Sequence, residues 1–132
     1  MSKMQNLYTG GAGQAAVMSE FLFRGYNVAI PEVDRGDDLF VVADASGAYT
    51  RIQVKAASGK GYQRTSGYSA QVLVPLRQLQ TPFTPELYYV FVLRYVDKWA
   101  DFVVISRPDL YNEHTLNNVG TKTKAGGLLL NL

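Results

Sequence analysis

Three side chains in the stretch GDDLFVVADASGAYTRIQVK, residues 36–55, have types and spacing suited to joint chemistry: the carboxylate of Asp38, the amide of Gln53 and the ammonium of Lys55. Two strand-like runs flank Ser46 and Gly47, a break that predicts a two-residue hairpin turn with Ala45 facing Ala48. In that register Asp38 lies opposite Lys55 and diagonal to Gln53, within roughly 8 Å at the backbone and on one face of the sheet. Because side chains alternate, Tyr49, Arg51, Gln53 and Lys55 share that face, while Thr50, Ile52, Val54 and Ala56 take the other. A slip of two residues keeps this grouping, and a slip of one destroys it. Taken as residues alone, the set serves either as an ion pair on a solvated strand face or as a convergent polar site.

The elements around the hairpin favour convergence. From Gly13 to Arg24 the apolar residues Val17, Met18, Phe21 and Leu22 recur at helical spacing, and Gly25 supplies a stop. At about 100° per residue, Gln14 falls in the middle of this apolar stripe, whereas Glu20 turns away from it. Gln14 and Gln53 are therefore both expected at a buried edge near Asp38. Burying an unpaired amide costs about a few kcal/mol, so a polar partner is expected there. A short strand follows from Tyr26 to Ile30, and Glu32 to Asp37 form a polar turn. After the paired strands come a loop from Ser58 to Gly67, a strand from Tyr68 to Val74, and a strongly β-prone run from Leu87 to Tyr95. Asp97 and Lys98 turn into a strand from Asp101 to Ile105, Ser106 caps a short helix reaching about His114, and GGLLLNL reads as a last strand. Helix and strands alternate within one domain spanning residues 1–132, an α/β arrangement with a mixed central sheet flanked by helices.

Composition narrows the chemistry. The chain has no cysteine and one histidine, which removes thiolate zinc sites, disulfides and a cysteine nucleophile. Its 47% apolar and 18% charged residues suit a folded soluble domain, and no run is long enough to suggest a membrane span. The N-terminal MSKMQNLYTGG lacks the apolar centre of a secretory signal, so a cytoplasmic location is expected. A net charge of +2 permits an anionic partner without arguing for one.

The stretches GGAGQAAVMSEFLFRGYNV, PEVDRGDDLFV and RIQVK together resemble the PD-(D/E)XK nuclease superfamily. They resemble in particular its small bacterial branch whose second motif reads Q-x-K, a branch that includes an intron homing endonuclease and is related to Holliday junction resolvase-like proteins. The resemblance covers Gly10 to about Ala57 and implies a restriction endonuclease-like core. It implies a metal-dependent DNA endonuclease in which Asp38 binds Mg²⁺, with Mn²⁺ as a possible substitute, Gln53 adds its amide oxygen and Val54 its main-chain carbonyl. Oxygen ligands of this kind suit a hard cation. Lys55 then orients or helps deprotonate the attacking water and offsets charge on the phosphate, and Gln14 occupies the position of a helix glutamate common in the family. Two amides in place of acids lower the negative charge of such a site. DNA is the implied partner, and cutting both strands implies a homodimer. The alternative is a DNA-binding or regulatory module that keeps the scaffold without cutting.

Other residues read more plainly. Asp34 and Asp37 are turn acids and the nearest further anions to Asp38. His114 reads as an exposed helix residue, and Tyr88 to Leu93 as core strand. Lys60, Arg64, Lys122 and Lys124 sit in Gly- and Thr-rich loops, where they serve either solubility or phosphate contact. Phe23, opposite the apolar stripe, is an exposed aromatic.

Overall fold

The computed structural model describes residues 3–33 and 36–132, so Asp34 lies outside the described residues. In chain order its elements are α1 (Lys3–Phe23), β1 (Asn27–Ala29), β2 (Leu39–Val42), β3 (Tyr49–Ser58), β4 (Lys60–Gly61), β5 (Tyr68–Ser69) and β6 (Gln71–Pro75). Then follow α2 (Leu76–Gln80), β7 (Leu87–Tyr95), β8 (Lys98–Ser106), α3 (Arg107–Asn117), β9 (Thr121–Lys122) and β10 (Gly127–Asn131). The central sheet has the order β1-β2-β3-β7-β8. It is mixed, because β3 and β7 run parallel while the other neighbours are antiparallel. A smaller sheet, β6-β10-β9, lies beside it.

The two faces of the central sheet bury different partners. Leu39, Val41, Ile52, Val54, Val90 and Val92 pack with Val17 of α1 on one face. Leu87, Tyr89 and Phe91 pack on the other against Val72, Val74 and Leu79, with Leu110 of α3 and Leu128 and Leu130 of β10. This strict alternation on β3 fixes which side chains stay out of the first core: Arg51, Gln53 and Lys55 are all half-buried on the second face.

α1 begins ten residues before the expected Gly13 and runs through Gly10 and Gly11. Three glycines lower helix propensity, yet tertiary packing overrides them. At Gly13 an added Cβ would come within 2.5 Å of the Ala56 Cβ, so the helix lies against β3 where only a glycine fits. The helix ends on Gly25, whose φ of +91° suits glycine, with Tyr26 N–H donating to the Phe21 carbonyl at 3.1 Å. The late helix keeps its predicted cap: the Ser106 hydroxyl accepts from the Asp109 N–H. α2 was not expected from the sequence. It is held to α3 by Arg107, whose guanidinium donates to the Leu79 carbonyl and to Glu86. That hydrogen bond holds the Glu86 carboxyl below the usual range. No helix among the described residues is long and apolar enough to cross a membrane.

Candidate functional site

The hairpin that carries the expected site closes through a wider turn than a two-residue loop. Ala43 N–H donates to the Ala48 carbonyl at 2.9 Å, and the Ala43 carbonyl accepts from Ser46 and Gly47. The loop therefore spans residues 44–47, with Gly47 at φ +74°. Phe40 pairs with Arg51 and Leu39 with Ile52, a shift of two residues from the expected register. Because the shift is even, the face shared by Arg51, Gln53 and Lys55 survives. Asp38 now falls beside Gln53 instead of opposite Lys55.

Pairing between β2 and β3 stops at Leu39↔Ile52, and the side chain of Asp38 takes over from the ending strand. Asp38 N–H donates to the Ile52 carbonyl at 2.8 Å. Its Oδ2 then accepts from the Val54 N–H and from Gln53 Nε2, both at 2.8 Å. Within a strand, the N–H and C=O of one residue point to the same side. The Val54 carbonyl therefore projects along this same edge, past the last residue of β2. One carboxylate, one amide and one main-chain carbonyl thus meet where the sheet opens.

Behind Gln53 stands a chain of polar groups absent from the sequence-based expectation. Gln78 Nε2 donates to the Gly36 carbonyl at 2.9 Å and reaches Gln53 Oε1 at 3.4 Å, while the Tyr89 hydroxyl donates to Gln78 Oε1 at 3.0 Å. Both ends of this chain are acceptors only, the Gly36 carbonyl and the Asp38 carboxylate, so hydrogen bonding turns both amide nitrogens toward those ends, and a cation at Asp38 would favour the reverse orientation of Gln53. Gly36 adopts φ +98°, and a Cβ there would meet Gln78 Nε2 at 2.7 Å. Tyr89 is buried, and burial pushes its hydroxyl up from the ordinary tyrosine range, opposed by Arg107 and assisted by Glu86. No short-range pattern marks Gln78; it lies in a one-and-a-half-turn helix between prolines. Tyr89 is legible only as core.

The other expected residues take varied places. Asp37 is 3% exposed and paired to Arg51 Nη1 at 2.9 Å, so it is a structural acid. Arg51 also donates to the Thr84 carbonyl and lies over the rings of Phe40 and Tyr49, which removes it from the open face. Lys55 is half-buried and forms no ion pair among the described residues. On α1, Val17, Glu20, Phe21 and Arg24 line a hollow facing Val90, Phe102 and Val104, and Gln14 is not part of its lining. Gln14 is half-buried and makes no hydrogen bond among the described residues, and none of its polar atoms is sealed from solvent. The polar partners of the Gln53 amide are Asp38 and Gln78. His114 lies near the end of α3 with Nδ1 at 2.8 Å from the Val119 carbonyl. Phe23 is 90% exposed.

As a cation site the cluster is lean. Among the described residues no three His, Cys, Asp or Glu side chains gather to hold a metal ion. Among the described residues Asp38 is the one carboxylate of the cluster, and Gln53 presents its oxygen to that carboxylate's side only after a half-turn of its amide. With the Val54 carbonyl on the same edge, the donors are all oxygens, which fits a hard cation that keeps several waters.

No family model matches this sequence, and no characterised protein matches it by sequence. In structure the chain is similar to a bacterial homing endonuclease, I-Ssp6803I, at 23% identity and a TM-score of 0.56, over 94% of this chain and 72% of that one. The likeness supports the expected fold class: an α/β, restriction endonuclease-like fold with a mixed central sheet flanked by helices.

Proposed function

We propose that this chain is a divalent-metal-dependent DNA endonuclease. The observation that carries the reading is the meeting of Asp38, Gln53 and the Val54 main chain at the edge where β2 ends, with the ammonium of Lys55 further along the same strand. The structural likeness to a homing endonuclease supports it as a matter of fold. Asp38, the Gln53 amide oxygen and the Val54 carbonyl would hold Mg²⁺ or Mn²⁺, which when bound polarises a phosphoryl oxygen and lowers the pKa of a bound water.

The chain's own residues do the rest. Asp38 supplies the anchoring negative charge and is held in place by two N–H donors. Among the described residues Lys55 forms no ion pair, and its ammonium would offset charge on a phosphate and orient an attacking water. A phosphodiester repels nucleophiles, and holding these groups beside one scissile bond converts a bimolecular encounter into an oriented one. Gln14 of α1, at the position where the nuclease resemblance places a helix acid, would contribute through its accessible amide by hydrogen-bonding water. Cutting both strands of a duplex would take two copies of the chain.

A cleavage panel tests the reading: supercoiled, linear, branched and methylated DNA with Mg²⁺ or Mn²⁺, and Asp38→Ala as the blank. Metal-dependent nicking that is lost in Asp38→Ala supports it. DNA binding indifferent to metal, with no cleavage of any substrate, would instead identify a non-cutting module on the same scaffold.

A further inference from the structure

We propose that the cleft along the open edge of β3, beyond Val54, seats the sugar-phosphate backbone of the DNA strand as it leaves the scissile phosphate; this rests on the endonuclease reading above. Odd-numbered residues of β3 turn their main-chain groups toward β7, as the neighbouring Gly59 N–H does to the Arg94 carbonyl at 2.7 Å. Even-numbered residues turn theirs the other way, as Ile52 and Val54 do toward Asp38. Since β2 pairs no further than Ile52, the main-chain groups of Ala56 and Ser58 face away from β7 along an edge that β2 leaves uncovered.

On this edge lies a cavity of about 610 Å³ lined by Asn6, Ser58, Lys60, Ser69, Gln71 and Asn131, with alanines between them. Its lining contains two hydroxyls, three carboxamides, one ammonium and no carboxylate. Gln71 Nε2 donates to Asn131 Oδ1 at 2.9 Å, which holds these two carboxamides in a fixed relation. Hydroxyls, carboxamides, lysine and main-chain N–H groups are the donors that proteins direct at DNA phosphates, whereas pockets for small organic ligands are mostly apolar.

The test is fluorescence anisotropy of a labelled random-sequence duplex with wild-type protein and three variants, in EDTA so that nothing is cut, over a salt series. Lys60→Gln, Gln71→Glu and Arg24→Gln each change the net charge by the same amount, so bulk electrostatics cancels between them. Arg24 is exposed, paired to Glu20, and on the flank of α1 remote from this cleft. The expected result is that Lys60→Gln lowers the slope of log affinity against log salt by about one. Gln71→Glu is expected to weaken binding by about tenfold, because it sets a carboxylate against a phosphate. Arg24→Gln is expected to bind as wild type. If the two cleft variants bind as tightly as Arg24→Gln, the cleft assignment falls while the endonuclease reading stands. If wild type does not bind duplex at all, both fall.

Discussion

Replacing Gln53 by glutamate should have opposite effects with and without metal. Without metal, Gln53→Glu exchanges the Nε2 that donates to Asp38 Oδ2 at 2.8 Å for a carboxylate oxygen. A hydrogen bond to a charged group, worth about 1.5–3 kcal/mol, is lost, and two carboxylates are pressed together. Protonation caps the cost. Neutralising one glutamate at pH 7 from an ordinary value of about 4.3 takes about 2.7 units at about 1.36 kcal/mol each, or about 4 kcal/mol, after which the new carboxyl can donate to Asp38. The site is half-buried and solvent screens it, so the expected destabilisation in EDTA at pH 7 is about 2–3 kcal/mol. The sign with pH follows from proton counting. The pair would titrate higher in the folded variant than in the unfolded chain, so the folded state binds more protons and the variant loses stability as pH rises above about 4. Divalent metal reverses the comparison, because the added anion raises cation affinity, and ligand binding stabilises by mass action. Urea unfolding at pH 5 and pH 7, in EDTA and in Mg²⁺, measures all four states. Equal stability of wild type and variant at pH 7 in EDTA, or equal Mg²⁺ stabilisation of both, would refute the reasoning.

Lys55→Ala should leave stability within about 0.5 kcal/mol, since Lys55 forms no ion pair among the described residues, yet lower the cleavage rate by at least about a hundredfold in a single-turnover assay. Gly13→Ala should destabilise by about 1–3 kcal/mol despite its better helix propensity, because the new Cβ meets Ala56 Cβ at 2.5 Å; a rise in melting temperature would contradict the close approach of α1 to β3. Tyr68, pushed up to about 12 by burial and by its hydrogen bond to Asp101, should be a late-titrating tyrosine in an ultraviolet pH titration. Its contribution to stability is present below about pH 10 and is lost as pH rises toward 12, and Asp101→Asn should move the transition down toward the ordinary value near 10.

Strand β7 and the Ser106 cap could be read from local chemistry, because a run of aromatic residues interleaved with valine and a hydroxyl three residues before its N–H partner are short-range signals. The shared face of Gln53 and Lys55 was legible for a different reason: alternation is insensitive to an even slip, so the two-residue error in register did no harm. The hairpin loop itself was misjudged because Ser46-Gly47 satisfies a tight turn as well as it satisfies the second half of a wider one. The start of α1 was hidden by Gly10, Gly11 and Gly13, whose low propensity masks the helix; Gly13 alone lies against β3, a contact that no local pattern records. Gln78 and α2 were invisible, since five residues cannot show helical periodicity and a glutamine acquires meaning only once Gly36 and Tyr89 are brought to it. Asp37 and Arg51 pair with each other, which leaves Asp38 as the acid of the cluster among the described residues.

The central claim is that a cation sits against Asp38 and the Val54 main chain. Substoichiometric Mn²⁺ added to nitrogen-15-labelled protein tests it most directly, because a bound paramagnetic ion broadens the amide resonances nearest to it. The account predicts early, selective loss of the Asp38, Gln53, Val54 and Lys55 signals, abolished in Asp38→Ala. Broadening centred on other carboxylates, or unchanged in Asp38→Ala, would contradict it.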